Sequence, residues 1–446
     1  MKTFSLKRKE GNNLKRSSYP QDTPVIGIDV SKEKSDFCIL DTKNQVCKRG
    51  VVQHTFNSIN AFLQMLLDIS NKLGSKPVCI MEATAHYHRI LYKQLVENDY
   101  TVIVINPIQS SCIKNIDIRN IKNDKVDAYR LAVLYRTGKL KASNIPTGDV
   151  SRLRSLSRFH KIITDDIAEH ILRLRSYVDQ SFPGFEEVFS KLKGKTPLAV
   201  LNKYPTPQAI FDAEEDVLID LIMTASRRSH DYAVSKCKLL KAASRTALKI
   251  GLDRPEDVIL IPAEIAIIYQ MQDSLDKTDK EIASVIKNNS KLSDQVRLLQ
   301  TIPGVGKFSS AALVAEIGDI DLFSNAKQLT AFWGLDPSQR QSGKFNGTHV
   351  KLSKRGSSNL RRIVNMIAVK NAYKQRNGTY ANPVIAQYFE QKCEHKEQKT
   401  VMCAVMRKMV HIIFAVLRDN KPFELRTPEQ HIQMLQSKNS EHRQPA

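Results

Sequence analysis

Paired cysteines are missing from this sequence. Its seven cysteines, at positions 38, 47, 79, 112, 237, 393 and 403, form no Cys-x-x-Cys unit and are odd in number. A zinc ribbon or a disulfide framework is therefore disfavoured, and reduced thiols in a reducing compartment are expected. Long apolar runs are missing too: no stretch approaches a membrane span, and the basic opening "MKTFSLKRKEGNNLKRSSYPQDTP" lacks the apolar core of a signal peptide. A cytoplasmic protein with no membrane partner is expected. Acid is in short supply, with 46 Asp and Glu against 68 Lys and Arg. Short-period repeats and long low-complexity tracts are absent.

What remains is a chain of 446 residues, 41% hydrophobic, long enough for two to four domains with real cores. Its formal charge of +22 raises the local concentration of polyanions and supplies phosphate contacts, so nucleic acid is the favoured partner. The surplus collects in the N-terminal tail, in "RRSHDYAVSKCKLLKAASR" and in "KLSKRGSSNLRR". These segments lack the aromatic amphipathic face that a membrane surface would select.

The pattern along the chain predicts an α/β domain followed by mainly α structure. After a basic tail over 1–22, "VIGIDVSKEKSDFCILD" reads as two strands joined by a polar turn. "PVCIMEAT" and "YTVIVINP" read as further strands around the helix-like "ATAHYHRILYKQLVEND". This gives an α/β domain over 23–148. A helical segment over 149–296 carries two seams with apolar spacing of three and four. One runs Leu153, Leu156, His160, Ile163, Ile167, His170, Leu174, Tyr177; the other runs from Ile268 to Leu299, with a polar Asn289 suited to fixing register or partner. Two seams of this kind call for partners, hence an oligomer. Residues 183–262 between them are an insert without an assignable motif. A third domain spans 297–425, opening on "IPGVG", a turn that either brings helix N–H groups to a phosphate or is a plain tight turn. A short tail covers 426–446.

Four carboxylates stand out. Asp29 sits inside an apolar strand, Glu82 ends another, and Asp124 and Asp127 stand three apart where a helix begins. Helix capping accounts for one of the last two, but a second carboxylate one turn along costs repulsion unless a cation lies between. Strand-end acids at the carboxyl edge of an α/β sheet, joined by a helix-borne pair and with no opposite charge predicted nearby, suit a hard divalent cation such as Mg²⁺. Two such ions about 4 Å apart can stabilise attacking and leaving oxygens in phosphodiester chemistry. Unrelated caps or a structural ion are the alternatives.

The motifs "GIDVSK", "MEATAHY", "NPIQS" and "KNDKVDAYRLA", followed by "IPGVG", "AFWGLDPSQRQSG" and "KLSKRGSSNLRR", resemble the DEDD transposases of the IS110 insertion-sequence family over about 24–175 and 295–420. The resemblance implies a RuvC-like, ribonuclease-H-fold N-terminal domain whose acidic tetrad falls on Asp29, Glu82, Asp124 and Asp127 and binds Mg²⁺. It implies a serine nucleophile at Ser342 in the second half. It also implies a bridge RNA, encoded by the element, that guides recombination of donor and target DNA by a tetramer. The longer tail and the insert depart from the family pattern, and Gln341 stands where some relatives have serine before the nucleophile.

Independently, "RQSGKFNGTHVKLSKRG" places Ser342 beside an open glycine, with Arg340, Lys344, Lys354 and Arg355 to hold a phosphate, and Arg361 and Arg362 farther along the same basic run. A phosphate-gripping loop without chemistry is the plain alternative, and Ser353 in "KLSKRG" is the competing serine. Trp333 suits a core position better than base stacking. His86 and His88 complete no metal spacing, and nothing activates Tyr87 or Tyr129. Two rival functions remain: a RuvC-like endonuclease acting through water, and a non-catalytic basic DNA-binding protein.

Overall fold

The computed structural model describes residues 22–83, 86–107, 109–110, 124–138, 140, 146–189, 191–252, 254–338, 341–342, 345–346, 351–427, 429–430 and 433. The chain forms two compact units, Met1–Pro146 and Thr147–Ala446.

The first unit is built on a five-stranded sheet. Strands β1 (Val25–Val30), β2 (Lys34–Leu40) and β3 (Val46–Gln53) form an antiparallel meander, followed by α1 (Phe56–Leu73), β4 (Val78–Glu82), α2 (His88–Glu97) and β5 (Val102–Ile105). The spatial order is β3-β2-β1-β4-β5, with β4 parallel to both β1 and β5. This is the α/β class expected, in the ribonuclease-H arrangement that the resemblance implied. β3 and α1 complete a pattern of which only four strands and one helix were legible as periodic runs.

Because side chains alternate across a pleated strand, each face has its own core. Ile26, Ile28, Phe37, Ile39 and Met81 pack with Phe62 and Leu66 of α1 and Leu91 and Leu95 of α2. Val25, Cys38, Leu40, Val78, Ile80 and Ile103 pack on the opposite face with Ala128, Leu131 and Ala132 of α3 (Asp124–Arg136). One glycine decides how closely α3 approaches. A Cβ on Gly27 would lie 2.0 Å from the Ala128 carbonyl oxygen and 2.6 Å from the Ala132 nitrogen. Only a residue without a side chain lets the helix backbone rest on β1 here.

Among its described residues the second unit is mainly helical, with one small hairpin. It comprises α4 (Gly148–Ser181), α5 (Phe185–Val188), α6 (Lys195–Lys203), α7 (Pro207–Asp212), α8 (Glu215–Ser226), α9 (His230–Ile250), α10 (Asp257–Lys287), α11 (Ser290–Gln300), α12 (Lys307–Ile317), α13 (Ala326–Phe332), α14 (Ser358–Ala372), α15 (Pro383–Cys393) and α16 (Gln398–Asp419). Helices α4 and α10 run antiparallel, as their cross-links require: Asn289 Nδ2 donates to Asp149 Oδ2 at 2.9 Å, His160 Nε2 lies 3.3 Å from Asp279, and His170 Nδ1 lies 2.6 Å from Glu264. The two seams therefore find each other within one chain, and they do not by themselves require a second subunit. The histidines that interrupt the first seam are matched by carboxylates on the facing helix.

Asn289 has the role of a helix cap. The seam breaks there between α10 and α11, and Asn289 caps α11 by accepting from the Leu292 N–H at 3.2 Å. The helical hairpin is shared by two cores. Leu153, Ile282 and Val285 at one end join α11 to α16, including fully buried Trp333. Ile171, Leu174, Ile261 and Ile265 at the other end join Phe185, Leu198, Ile210, Ile222 and Leu240 of the insert helices.

Two sequence readings change. First, α10 and α16 are long and apolar enough, by length and composition, to cross a membrane, contrary to the expectation that no stretch approaches a span. In α16 that character goes into the core, where Val405, Met409, Val410 and Ile413 have no exposed surface. In α10, Ile261, Ile265, Ile268 and Ile282 are buried. Second, the basic run in α9 is partly spent inside the unit. Lys236 donates to the Val188 carbonyl, and Lys241 donates to those of Phe211 and Ala213, closing the ends of short helices.

Candidate functional site

The register of the first sheet brings the strand-borne acids together. Ile28 of β1 pairs with Met81 of the parallel β4, so Asp29 and Glu82, one residue on, stand side by side at the carboxyl ends of adjacent strands. By alternation both lie on the α3 face, Asp29 in line with Val25 and Gly27, Glu82 in line with Val78 and Ile80. The contact at Gly27 sets the first turns of α3 against that face, and Asp124 and Asp127 belong to those turns. The helix begins at Asp124, whose side chain lies outside the described residues.

The acids are not bare, as the sequence suggested. Asp127 is 5% exposed and accepts from Arg130 Nη1 at 2.9 Å, one helical turn away. Arg130 is itself only 9% exposed, so this pair is largely desolvated. Glu82 Oε2 accepts from Ser110 Oγ at 2.6 Å, which gives the "NPIQS" motif a physical role, because its serine orients a strand-end carboxylate. Asp29 also has a partner within the structure. Asp36 was missed by the sequence reading. It pairs directly with Asp29 across β1 and β2, is 3% exposed, and lies 3.4 Å from Lys34 Nζ. The alternation Lys34, Asp36, Cys38, Leu40 on one strand face was the available signal, and the spacing of Asp127 and Arg130 was another. In donor chemistry Asp29, Glu82 and Asp127 suit a hard cation, all three offering oxygen. Among the described residues, however, no three His, Cys, Asp or Glu side chains surround one point at ligating distance.

The serine-bearing motif forms a hairpin over a clasp of backbone. Strand β6 (Gln341–Ser342) pairs with β7 (Phe345–Asn346), Ser342 opposite Phe345. At its base the Ser338 N–H donates to the Lys351 carbonyl at 2.8 Å, Pro337 bridges to Leu352, and the Lys354 N–H donates to Gly334 at 3.1 Å. A Cβ on Gly356 would lie 2.0 Å from the Phe332 oxygen, and one on Gly334, at φ +66°, would lie 2.7 Å from the Arg355 nitrogen. The glycines of "WGL" and "KRG" are thus required by each other. Lys354, in the left-handed region at φ 53°, and Arg355 are exposed beside the clasp. The Ser353 hydroxyl donates to Asp336 and is committed inside the clasp. The side chain of Ser342 and residues Arg340, Gly343 and Lys344 lie outside the described residues.

Two of the arginines singled out for nucleic acid have partners. Arg361 Nη1 donates to the carbonyls of Gly356 at 2.7 Å and Trp333 at 3.1 Å, bracing the clasp. Arg362 Nη1 donates to Asp165 Oδ2 of α4 at 2.6 Å. The Arg362 guanidinium, with Lys161 beside it, holds the Asp165 carboxyl below the usual carboxylate range. The "IPGVG" turn joins α11 to α12 with Gly304 at φ +81° against Asn371, whose Nδ2 donates to the Pro303 carbonyl at 2.7 Å.

Comparison with known proteins gives matches to both halves. The model of the DEDD-type IS110 transposases covers residues 26–183, and that of the IS116/IS110/IS902 transposase family covers 296–383, together more than half of the chain. The pilin gene-inverting protein of Moraxella bovis is 34% identical over 36% of this chain and 49% of its own length. The transposase for insertion sequence element IS1328 of Yersinia enterocolitica is 27% identical over 58% of this chain and 81% of its own. The insertion element IS116 uncharacterized 44.8 kDa protein of Streptomyces clavuligerus is 25% identical over 61% and 65%. The chain spans about half the length of the pilin gene-inverting proteins it matches. Among solved structures, the RuvC of T. thermophilus in complex with a Holliday junction substrate matches 26% of this chain and 93% of that chain at 11% identity and a TM-score of 0.20.

Proposed function

We propose that this chain, which belongs to the IS110 family of DEDD transposases, is a DNA transposase or recombinase that cuts and rejoins strands of an insertion sequence through Ser342, with Asp29, Glu82, Asp124 and Asp127 as the acidic half of its active site. One observation carries the reading. Asp29 and Glu82 stand in register at the carboxyl ends of adjacent parallel strands, on the face against which Gly27 admits the helix that bears the other two acids. Mg²⁺ is the cation this donor set suits, and when bound it supplies charge neutralisation at the attacked phosphate.

The chain's own groups divide the remaining work. Ser110 keeps Glu82 in one orientation, and Arg130 fixes Asp127. Lys354 and Arg355, exposed beside the hairpin, draw the DNA backbone to Ser342. The Ser342 oxygen forms a bond to the scissile phosphorus as the bond from that phosphorus to the sugar oxygen breaks, and the serine proton passes to a carboxylate, whose carboxyl form returns it to the departing sugar oxygen. The product is a DNA end linked to serine, which a second sugar hydroxyl can release by the reverse step. The charge of +22 supports a polyanionic partner, assigned as donor and target DNA with a bridge-type RNA as guide. A homotetramer is the assembly the family resemblance favours.

The test is recombination between donor and target plasmids by purified protein with its flanking non-coding RNA and Mg²⁺. Asp29→Asn, Glu82→Gln and Ser342→Ala should each lower strand transfer at least about a hundred-fold while retaining DNA binding. A nicked substrate should trap an adduct whose modified peptide contains Ser342. Full activity of Asp29→Asn, or cleavage undiminished in excess chelator, would reject the acidic site. An adduct mapped to Ser353 or a tyrosine would reject the nucleophile, and cleavage without any adduct would favour an endonuclease that uses water. Full-rate recombination by ribonuclease-treated protein would remove the RNA.

A further inference from the structure

A cleft opens in the second unit where α4, α12 and α14 meet, with a volume of about 140 Å³. An apolar cavity of about 150 Å³ accommodates one benzene ring, so this one suits a single six-membered ring. Its floor is apolar, formed by Phe308, Ile363 and Met366, and His160 stacks on Phe308 with ring centroids 3.7 Å apart and planes 19° apart. The position is rigid. Glu316, 4% exposed at the back of the cleft, accepts from Arg158 Nε at 2.6 Å and Nη2 at 2.9 Å, fastening α4 to α12.

One further feature distinguishes the cleft from an ordinary packing gap. At the rim, Lys161 and Arg362 share the single carboxylate of Asp165, at 3.0 and 2.6 Å, which leaves one positive charge uncompensated among the described residues. A ring-sized apolar slot with an aromatic platform and a cation at its mouth matches an unpaired nucleotide, whose base enters while its phosphate remains outside.

We propose that this cleft binds one unstacked pyrimidine base of a nucleic-acid strand, with the base against Phe308 and His160 and its phosphate on Lys161 and Arg362. The inference rests on the nucleic-acid reading above and assigns that reading a specific subsite. A hydrophobic side chain from another protein would also fill the volume, but it would gain nothing from the rim charge.

The full-length protein is tested with oligo(dT) and with an abasic strand of equal length, which carries the same phosphates without bases. Oligo(dT) should bind at least about five-fold more tightly at one salt concentration. Phe308→Ala should erase that preference and leave the affinity for the abasic strand unchanged. Because Phe308 also touches the core, a second measurement stands without any variant: irradiation of a strand containing 5-iodouracil should cross-link to peptides holding Phe308 or His160. Equal affinity for the two strands, or cross-links confined to other peptides, overturns the subsite alone. Binding of neither strand overturns the nucleic-acid reading as well. A Phe308→Ala protein that changes its self-association but keeps its base preference shows that the cleft receives a protein side chain.

Discussion

Gly27 and Gly356 do the same physical job in different settings. At Gly27 a helix backbone rests on a strand, and at Gly356 a loop backbone rests on the end of a helix; in each case a Cβ would stand 2.0 Å from a carbonyl oxygen. What they position differs. Gly27 sits in a sheet whose register places Asp29 beside Glu82, so the acids inherit their arrangement from regular hydrogen bonding. Gly356 sits in a clasp of irregular backbone, so the Ser342 hairpin depends on a few specific bonds among Gly334, Asp336, Ser338 and Lys351. Acids placed on a sheet are protected by the cooperativity of the sheet, whereas a hairpin held by a loop can be disturbed locally.

The largest expected effect follows directly. Gly27→Ala must push α3 off the sheet, because neither clashing atom belongs to a flexible side chain, and should cost the first unit about 3 kcal/mol or more. Hydrogen exchange should show β1 and α3 losing protection while α14 and α16 keep theirs; protection of β1 equal to that of the unsubstituted protein would mean that the helix tolerates a methyl group there. Gly356→Ala should have a smaller, more local effect, about 1–3 kcal/mol, confined to peptides around 332–356. If it unfolds the entire second unit, the loop is part of the core and the contrast between the two glycines disappears.

Next in size is the break between the second seam and α11. Asn289→Ala removes the cap on the Leu292 N–H and the bond to Asp149, and should cost about 1 kcal/mol in urea unfolding with an unchanged dependence on denaturant. A register residue between subunits would instead change the state of association, which size-exclusion chromatography would register. The smallest effect concerns pH. Burial lowers the pKa of His160 below its usual value and outweighs the opposing pull of Asp279. A depressed folded pKa means that protons bind the unfolded chain more tightly. Its stabilisation is therefore complete above about pH 6.5 and is lost as pH falls through that value toward the folded pKa. His160→Gln should flatten stability between about pH 7 and 5; a slope identical to that of the unsubstituted protein would exclude His160 as its source.

Much of the first unit was readable before folding. The apolar runs holding Asp29 and Glu82 are strands because β-branched residues and alternation favour them there, and the periodic run after Asp124 is helical. The partners of the acids were less legible. Ser110 lies 28 residues from Glu82, and Asp36 meets Asp29 only through antiparallel pairing. The arginines of "NLRR" read as one basic patch, yet adjacent positions on a helix point about 100° apart, sending Arg361 to the clasp and Arg362 to α4.

By itself the sequence determined the charge that selects a polyanion, the periodicities that make an α/β unit followed by a helical one, and the positions of the acids and the serine within those elements, because each is a local property of composition or spacing. Tertiary structure decided which groups meet. The two seams closed on each other, two lysines of the basic run closed helix ends, and a serine, an arginine and a second aspartate joined the acids. The meeting of the acids depends on strand register and on a contact at Gly27 that only glycine permits. Backbone closeness between segments far apart in the chain is fixed by the packing of the whole unit, and no local pattern encodes it.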